Sequence, residues 1–338
     1  MKNNNNLAYI LLFLTTLFWS GNFIVGKAAS ILAVTWWPSL HSGAAPEIRR
    51  GTMCDDTILQ EMNEYISRRR IGALTIGASF AAVLPRLVGA ADVVESKVEI
   101  KTQDGVCEAH FAHPTTGKHP AVLVWPDAFG LRPAFEQMGK RLAESGYSVL
   151  SINPYYRSSR LPALPEGLDF ANPNDRAQIM KMMQTLTPET NVIDANAFVG
   201  WLDSQGAVDT KKKIGTTGYC MGGPMVMRTA AALPDRVGAG ASFHGGGLVT
   251  DASNSPHTLV TKMKAQFLIA IADNDDKNQP EAKNILREAF KNAALPAEIE
   301  VYKGAQHGWC PPDAAVYNKT QAEKAWSRML EMFKVALV

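Results

Sequence analysis

The residues best placed by type and spacing to do covalent chemistry lie in Gly218-Tyr219-Cys220-Met221-Gly222-Gly223. This segment follows an apolar run, Ile214 to Thr217, that reads as a buried strand, and it opens into Pro224 to Leu233, which reads as a helix. A G-x-C-x-G turn between strand and helix is a nucleophile elbow, here carrying sulfur. The flanking glycines are expected to allow the sharp turn that lifts the sulfur off the sheet, and the helix points its positive end at it. Alone, the motif equally fits a buried cysteine beside a tight turn, so its surroundings decide.

Downstream, an acid and then a histidine appear in the settings the chemistry needs. The apolar strand Gln266 to Ala272 ends in Asp273-Asn274-Asp275-Asp276, and a carboxylate at the carboxyl end of a parallel strand faces the ligand crevice. The strand Glu298 to Tyr302 then leads into Gly304-Ala305-Gln306-His307-Gly308-Trp309, a glycine-flanked loop histidine. Nucleophile, acid and base thus follow one another in chain order.

From about Val98 to the C-terminus the chain resembles the dienelactone hydrolase (carboxymethylenebutenolidase) family. The resemblance rests on the elbow, on Trp125-Pro126-Asp127-Ala128-Phe129-Gly130, on Asn153-Pro154-Tyr155-Tyr156-Arg157 and on the histidine loop. It implies an α/β-hydrolase fold and hydrolysis of a small ester or lactone with no cofactor and no metal. By position it implies Cys220 as nucleophile, His307 as general base and later acid, and Asp275 as the acid that orients the histidine, with Asp276 as the fallback. The backbone N–H groups of Met221 and Ala128 would hold the oxyanion. Asp127 stands where the family commonly has a glutamate that hydrogen-bonds the resting thiol; it keeps the charge and shortens the reach by one methylene.

Substrate contacts depart from the family's best-known members. Arg176 matches roughly one arginine that binds the substrate carboxylate, but Met180 replaces a tyrosine, Pro311 a second arginine and Gly308 a serine. Two polar contacts to an anionic lactone are missing, and an unpaired carboxylate in a partly dry pocket is costly. Arg157 is the candidate substitute charge. A noncatalytic or membrane-tethered binding protein on the same fold is the alternative reading.

The elements that must position these residues alternate. Strands are expected at Lys97 to Lys101, Val106 to Phe111, Ala121 to Trp125, Tyr147 to Ile152, Ile214 to Thr217, Gly238 to Phe243, Gln266 to Ala272 and Glu298 to Tyr302. Helices are expected at Pro133 to Glu144, Asn174 to Leu186, Glu189 to Ser204, Pro224 to Leu233, Glu281 to Ala293 and Asp313 to Val335. Such alternation means a mostly parallel central sheet with helices on both faces. The proline-rich stretch Ser158 to Pro173 reads as a long loop over the site mouth. With 338 residues, 46% of them apolar, and a formal net charge of +2, the chain can bury a large core and lacks a nucleic-acid footprint. Lys211-Lys212-Lys213 reads as a solvated turn, and Cys54, Cys107, Cys220 and Cys310 lack zinc-ligand spacing.

The catalytic domain is expected at 92–338, behind two leaders. Residues 1–52 contain Leu7 to Val25, nearly continuous apolar sequence long enough to cross a bilayer, and resemble the first membrane helix of EamA-type transporters; a fused fragment or a mis-started leader is the preferred account. Membrane contact follows only if that segment is retained. Residues 53–91 contain Ser67-Arg68-Arg69-Arg70-Ile71, an apolar run and Val88-Gly89-Ala90-Ala91, which resemble a signal read by the twin-arginine export machinery. Cleavage there would leave a periplasmic enzyme with an odd number of cysteines, hence an unpaired thiol. The alternatives are a cytoplasmic protein or one anchored by the first segment.

Overall fold

The computed structural model describes residues 91–338, so both leaders, except Ala91, lie outside the described residues. Among the described residues no helix is long and apolar enough to cross a membrane. In chain order the elements are β1 (Val93–Thr102), β2 (Gly105–Pro114), β3 (Ala121–Trp125), α1 (Pro133–Glu144), β4 (Ser148–Ile152), α2 (Pro173–Met183), α3 (Pro188–Asp203), β5 (Ile214–Tyr219) and α4 (Gly222–Ala232). Then follow β6 (Val237–Phe243), a 3-10 turn (Pro256–Lys262), β7 (Gln266–Ala272), α5 (Asp273–Asn278), α6 (Ala282–Asn292), β8 (Ala297–Tyr302) and α7 (Lys319–Ala336).

The eight strands form one sheet in the order β1-β2-β4-β3-β5-β6-β7-β8. The β1–β2 and β2–β4 pairs are antiparallel and all later pairs parallel. β3, β4 and β5 are buried along their whole length, as strands covered on both faces must be. One face is packed by α3, α4 and α6 through Phe198, Leu202, Val226, Leu286 and Phe290. The other is packed by α1 and α7 through Phe135, Met138, Leu142, Trp326, Met329 and Phe333. This is the α/β-hydrolase architecture expected from the sequence.

Several boundaries differ, for local reasons. The first two strands extend to ten residues each, because β1 pairs with β2 along its full length. α7 starts at Lys319 rather than Asp313, because Asn318 caps it, its Oδ1 accepting from the Gln321 N–H at 3.2 Å. The acidic cluster after β7 forms a short helix, α5.

Leaving β3, the chain turns first to β4 and returns on the other side of β3 as β5, so the loops after β3 and β5 diverge. The crevice at the carboxyl ends of these strands is where an open parallel sheet binds ligands. The elbow, the Asp127–Ala128 loop, α5 and the His307 loop all leave from this end.

Candidate active site

Cys220 is the one residue between β5 and α4's cap at Met221, and its φ is +55°. A left-handed conformation at a residue with a Cβ costs roughly 1–2 kcal/mol, so the strain of the turn sits on Cys220 itself. The glycines beside it serve close approach instead, which corrects the expectation that they make the turn. A Cβ on Gly218 would meet the Gly222 carbonyl oxygen at 2.2 Å, and one on Gly222 would meet the Trp125 carbonyl oxygen at 2.4 Å. Glycine at 222 therefore lets the start of α4 rest directly on the end of β3, beside the Asp127–Ala128 loop.

The Met221 and Ala128 N–H groups, one from each of these adjoining segments, donate to no acceptor among the described residues. Both residues are buried. Tyr155 ties the two segments together: its buried hydroxyl donates to the Ala128 carbonyl at 2.7 Å and lies 3.4 Å from the Met221 sulfur.

Across the crevice, His307 Nδ1 lies 2.7 Å from Asp275 Oδ2. Asn274 Oδ1 accepts the His307 N–H at 2.8 Å, and the Asp273 N–H donates to the Ala305 carbonyl at 2.8 Å, so α5 and the histidine loop are laced together. Trp309, fully buried and edge-on to Tyr302 at 4.5 Å, anchors the loop's far side. Burial works against a charge on His307, but the nearby Cys220 sulfur and the Asp275 carboxylate outweigh burial and hold the ring well above the usual histidine range. Asp276, the fallback, turns to Lys283 at 2.5 Å. Asp273 pairs with Lys277 at 2.7 Å. Of the cluster's three carboxylates, Asp275 is the one that meets the histidine ring.

Two expected site residues are engaged elsewhere. Both Asp127 oxygens accept from Arg132, at 2.7 and 3.0 Å, and Oδ1 also takes the Phe129 N–H at 2.9 Å. Asp127 therefore makes no bond to Cys220 among the described residues; its shorter side chain serves its own loop. Arg132 also reaches Asp313 at 2.6 Å, clamping this loop to the segment beyond His307. Sequence reading missed Arg132, which carries no motif. Arg157, expected as a substitute substrate charge, forms a network with Asp104 at 2.6 Å and with the buried Asp194 at 2.8 Å, and stacks on Tyr156 at 4.6 Å. With its side chain 10% exposed and its donors committed, it is structural.

Arg176 is half-buried on α2, and its side chain has no hydrogen bond or ion pair among the described residues. The loop at 158–172 and α2 lay Leu164, Phe170, Ile179, Met182 and Met183 into an apolar cluster with Ala128, Tyr155, Met221 and Cys220. Cys310 is packed in the core on the α7 face, where burial pushes its thiol well up, so proximity to His307 in sequence does not make it reactive. Cys107 is likewise buried with its thiol pushed up, and all described cysteines are free. His244 was also missed. It follows β6, is fully buried, and its ring lies 5.0 Å from that of His307.

The sequence matches the dienelactone hydrolase family over residues 107–337. A protein from Escherichia coli named "putative carboxymethylenebutenolidase" is 30% identical over 252 residues, covering 72% of this chain and 87% of its own. One of the same name from Methylorubrum extorquens is 27% identical over 283 residues, covering 80% and 93%. Among solved structures, a dienelactone hydrolase of Klebsiella pneumoniae, named with the same qualifier, superposes with a TM-score of 0.63 at 22% identity, covering 72% of this chain and 99% of that one. The sheet order, the elbow and these matches agree: the chain belongs to the dienelactone hydrolase family, hydrolases of the α/β-hydrolase fold.

Proposed function

We propose that the protein hydrolyses carboxylic esters or lactones through a Cys220–His307–Asp275 triad. The observation that carries this is the strained Cys220 elbow facing a histidine whose far nitrogen lies 2.7 Å from a carboxylate. The Cys220 sulfur gives its proton to His307 and attacks the ester carbonyl carbon. The Met221 and Ala128 N–H groups receive the resulting oxyanion, and His307 passes its proton to the departing alkoxide, leaving a thioester. Water, deprotonated by His307, attacks the thioester; collapse of the second oxyanion frees the carboxylic acid, and His307 returns the proton to the sulfur. Asp275 keeps the ring in the orientation and tautomer this shuttle needs.

For the substrate, we propose a neutral ester in preference to an anionic lactone. Arg176 is the one cation of the positions carried over that has no partner among the described residues, Met180 and Pro311 offer no charge, and the cover over the elbow is apolar. Hydrolysis of a chromogenic short-chain ester by the purified protein, abolished in Cys220→Ala with the fold retained, is the expected result. Near-normal hydrolysis by Cys220→Ala would overturn the triad, whereas no hydrolysis by the wild type across an ester panel would leave the binding-protein reading instead.

For location, we propose twin-arginine export, on the strength of Arg68-Arg69 and the small-residue site at Val88 to Ala91. Arg68→Lys with Arg69→Lys is expected to hold the protein inside the cell at full size. Mature-size protein in the periplasm despite this change would sink the export reading.

A further inference from the structure

We infer that His244 is a positioning residue that ties the Cys220 backbone to the His307 ring, so that sulfur and base meet at a fixed spacing. The inference rests on the Cys220–His307 pair proposed above. His244 has a φ of +40°, a second strained residue beside the elbow, and it is held there by its own N–H, which donates to the Ala270 carbonyl at 2.8 Å.

Its Nδ1 accepts the Cys220 N–H at 3.1 Å, a donor shared with the Phe243 carbonyl at 3.1 Å. The Cys220 carbonyl in turn accepts from the Gly246 N–H at 3.3 Å and the Gly223 N–H at 3.1 Å. The turn after β6 thus grips the strained residue on both its peptide groups. The other side of the same ring meets His307 at 5.0 Å, tilted 64° to it, with Tyr219 at 6.1 Å and Trp309 at 6.4 Å closing the contact. One imidazole therefore touches both halves of the reacting pair.

Its protonation state suits that place. Accepting at Nδ1 leaves the proton on Nε2, which is buried and without a partner among the described residues. A buried orphan donor is costly, and such groups in a folded protein call for an explanation. Here position explains it: the ring is fixed by its contacts to Cys220 and His307, not by Nε2. The titratable groups facing the ring are Cys220, His307 and Tyr219. Burial first, and then the charge of His307, hold His244 well below the usual histidine range, so it adds no second cation beside the His307 imidazolium.

Two substitutions separate the two contacts: His244→Phe keeps a ring against His307 and loses the acceptor, while His244→Asn keeps an acceptor and loses the ring. The readouts on the full chain are kcat and KM for a chromogenic ester, and the pH profile of Cys220 alkylation by iodoacetamide, followed by peptide mapping because Cys107 and Cys310 are also present. Thermal melting checks the fold. In each variant kcat is expected to fall about tenfold or more with KM little changed, the range over which small misplacements act. The alkylation profile is expected to move to higher pH, further in His244→Phe than in His244→Asn. A folded variant of either kind with wild-type kcat and wild-type alkylation overturns the inference, and His244→Asn suffices should His244→Phe not fold. Alkylation reports the Cys220–His307 pair whether or not that pair catalyses, so a shifted profile with unchanged hydrolysis sinks the catalytic reading and leaves the positioning role standing.

Discussion

The carboxyl end of the sheet around Cys220 and the cover above it are held by different kinds of force. Around Cys220 the contacts are directional: the Cys220 N–H shared between the Phe243 carbonyl and His244 Nδ1, the His307 N–H to Asn274, Asp275 to the ring, Arg132 between Asp127 and Asp313. The loop at 158–172 and α2 meet it through apolar burial by Leu164, Ile179 and Met183, while directional bonds hold only the start of that loop, from Asn153 to the Ser159 carbonyl and from Arg160 and the Leu161 N–H to Glu108. Directional bonds tolerate little displacement, whereas apolar contact is proportional to area and accepts substitution of similar volume. One scaffold can therefore keep its reaction while changing its substrate, and the departures at Met180 and Pro311 fall near the cover and beyond the His307 loop, not at Cys220, Asp275 or His307.

The largest break in this contrast is expected from Asp275→Asn, which leaves the shape and removes the charge. Loss of a triad carboxylate lowers kcat/KM by about 10²–10⁴-fold in enzymes of this mechanism. Because Asp275 helps hold His307 above its ordinary range, its removal lets the imidazolium lose its proton at lower pH. The alkaline limb of kcat/KM against pH should move toward acid; an unmoved limb would show that Asp275 does not set the charge of His307.

A smaller and selective effect is expected from Arg176→Ala. If it supplies one charged contact to a substrate carboxylate, its loss is worth about 1.5–3 kcal/mol, roughly one to two orders of magnitude in kcat/KM for the dienelactone. A neutral aryl ester should be hydrolysed as before, and faster than the dienelactone in the wild type. A wild-type preference for dienelactone that collapses in Arg176→Ala would show that one arginine suffices.

The smallest effect on chemistry belongs to Leu164→Ala. It should lower stability by about 2–3 kcal/mol, as truncation of a well-packed leucine does, and raise KM modestly with kcat unchanged. A large loss of kcat would mean that the cover, too, positions the reacting atoms.

How far the sequence discloses these regions follows the same division. β3 and β7 are legible to the residue, because a continuous apolar run between turn residues leaves little choice of element. The elbow and the histidine loop are legible because their glycines and chain order form a local pattern. What stays hidden is what depends on partners distant in the chain. Arg132 is an ordinary helix-cap position until Asp313, far along the chain, reaches it. Arg157 has the charge of a substrate residue until Asp104 and Asp194 are seen to consume its donors. His244 has no motif, and its role depends on a backbone N–H two elements earlier. The choice between Asp275 and Asp276 turns on which way a short helix faces, which spacing does not reveal.

The central claim, that Cys220 is the nucleophile, is tested most directly by trapping the acyl-enzyme. A chromogenic acetyl ester mixed with excess protein and quenched in acid within the first turnover should add one acetyl group to the chain, and peptide mapping should find it as a thioester on Cys220. Cys220→Ala should take up none. An acetyl group on any other residue, or a wild type that turns over the ester with no covalent acyl species under these conditions while Cys220→Ala does the same, would contradict the mechanism.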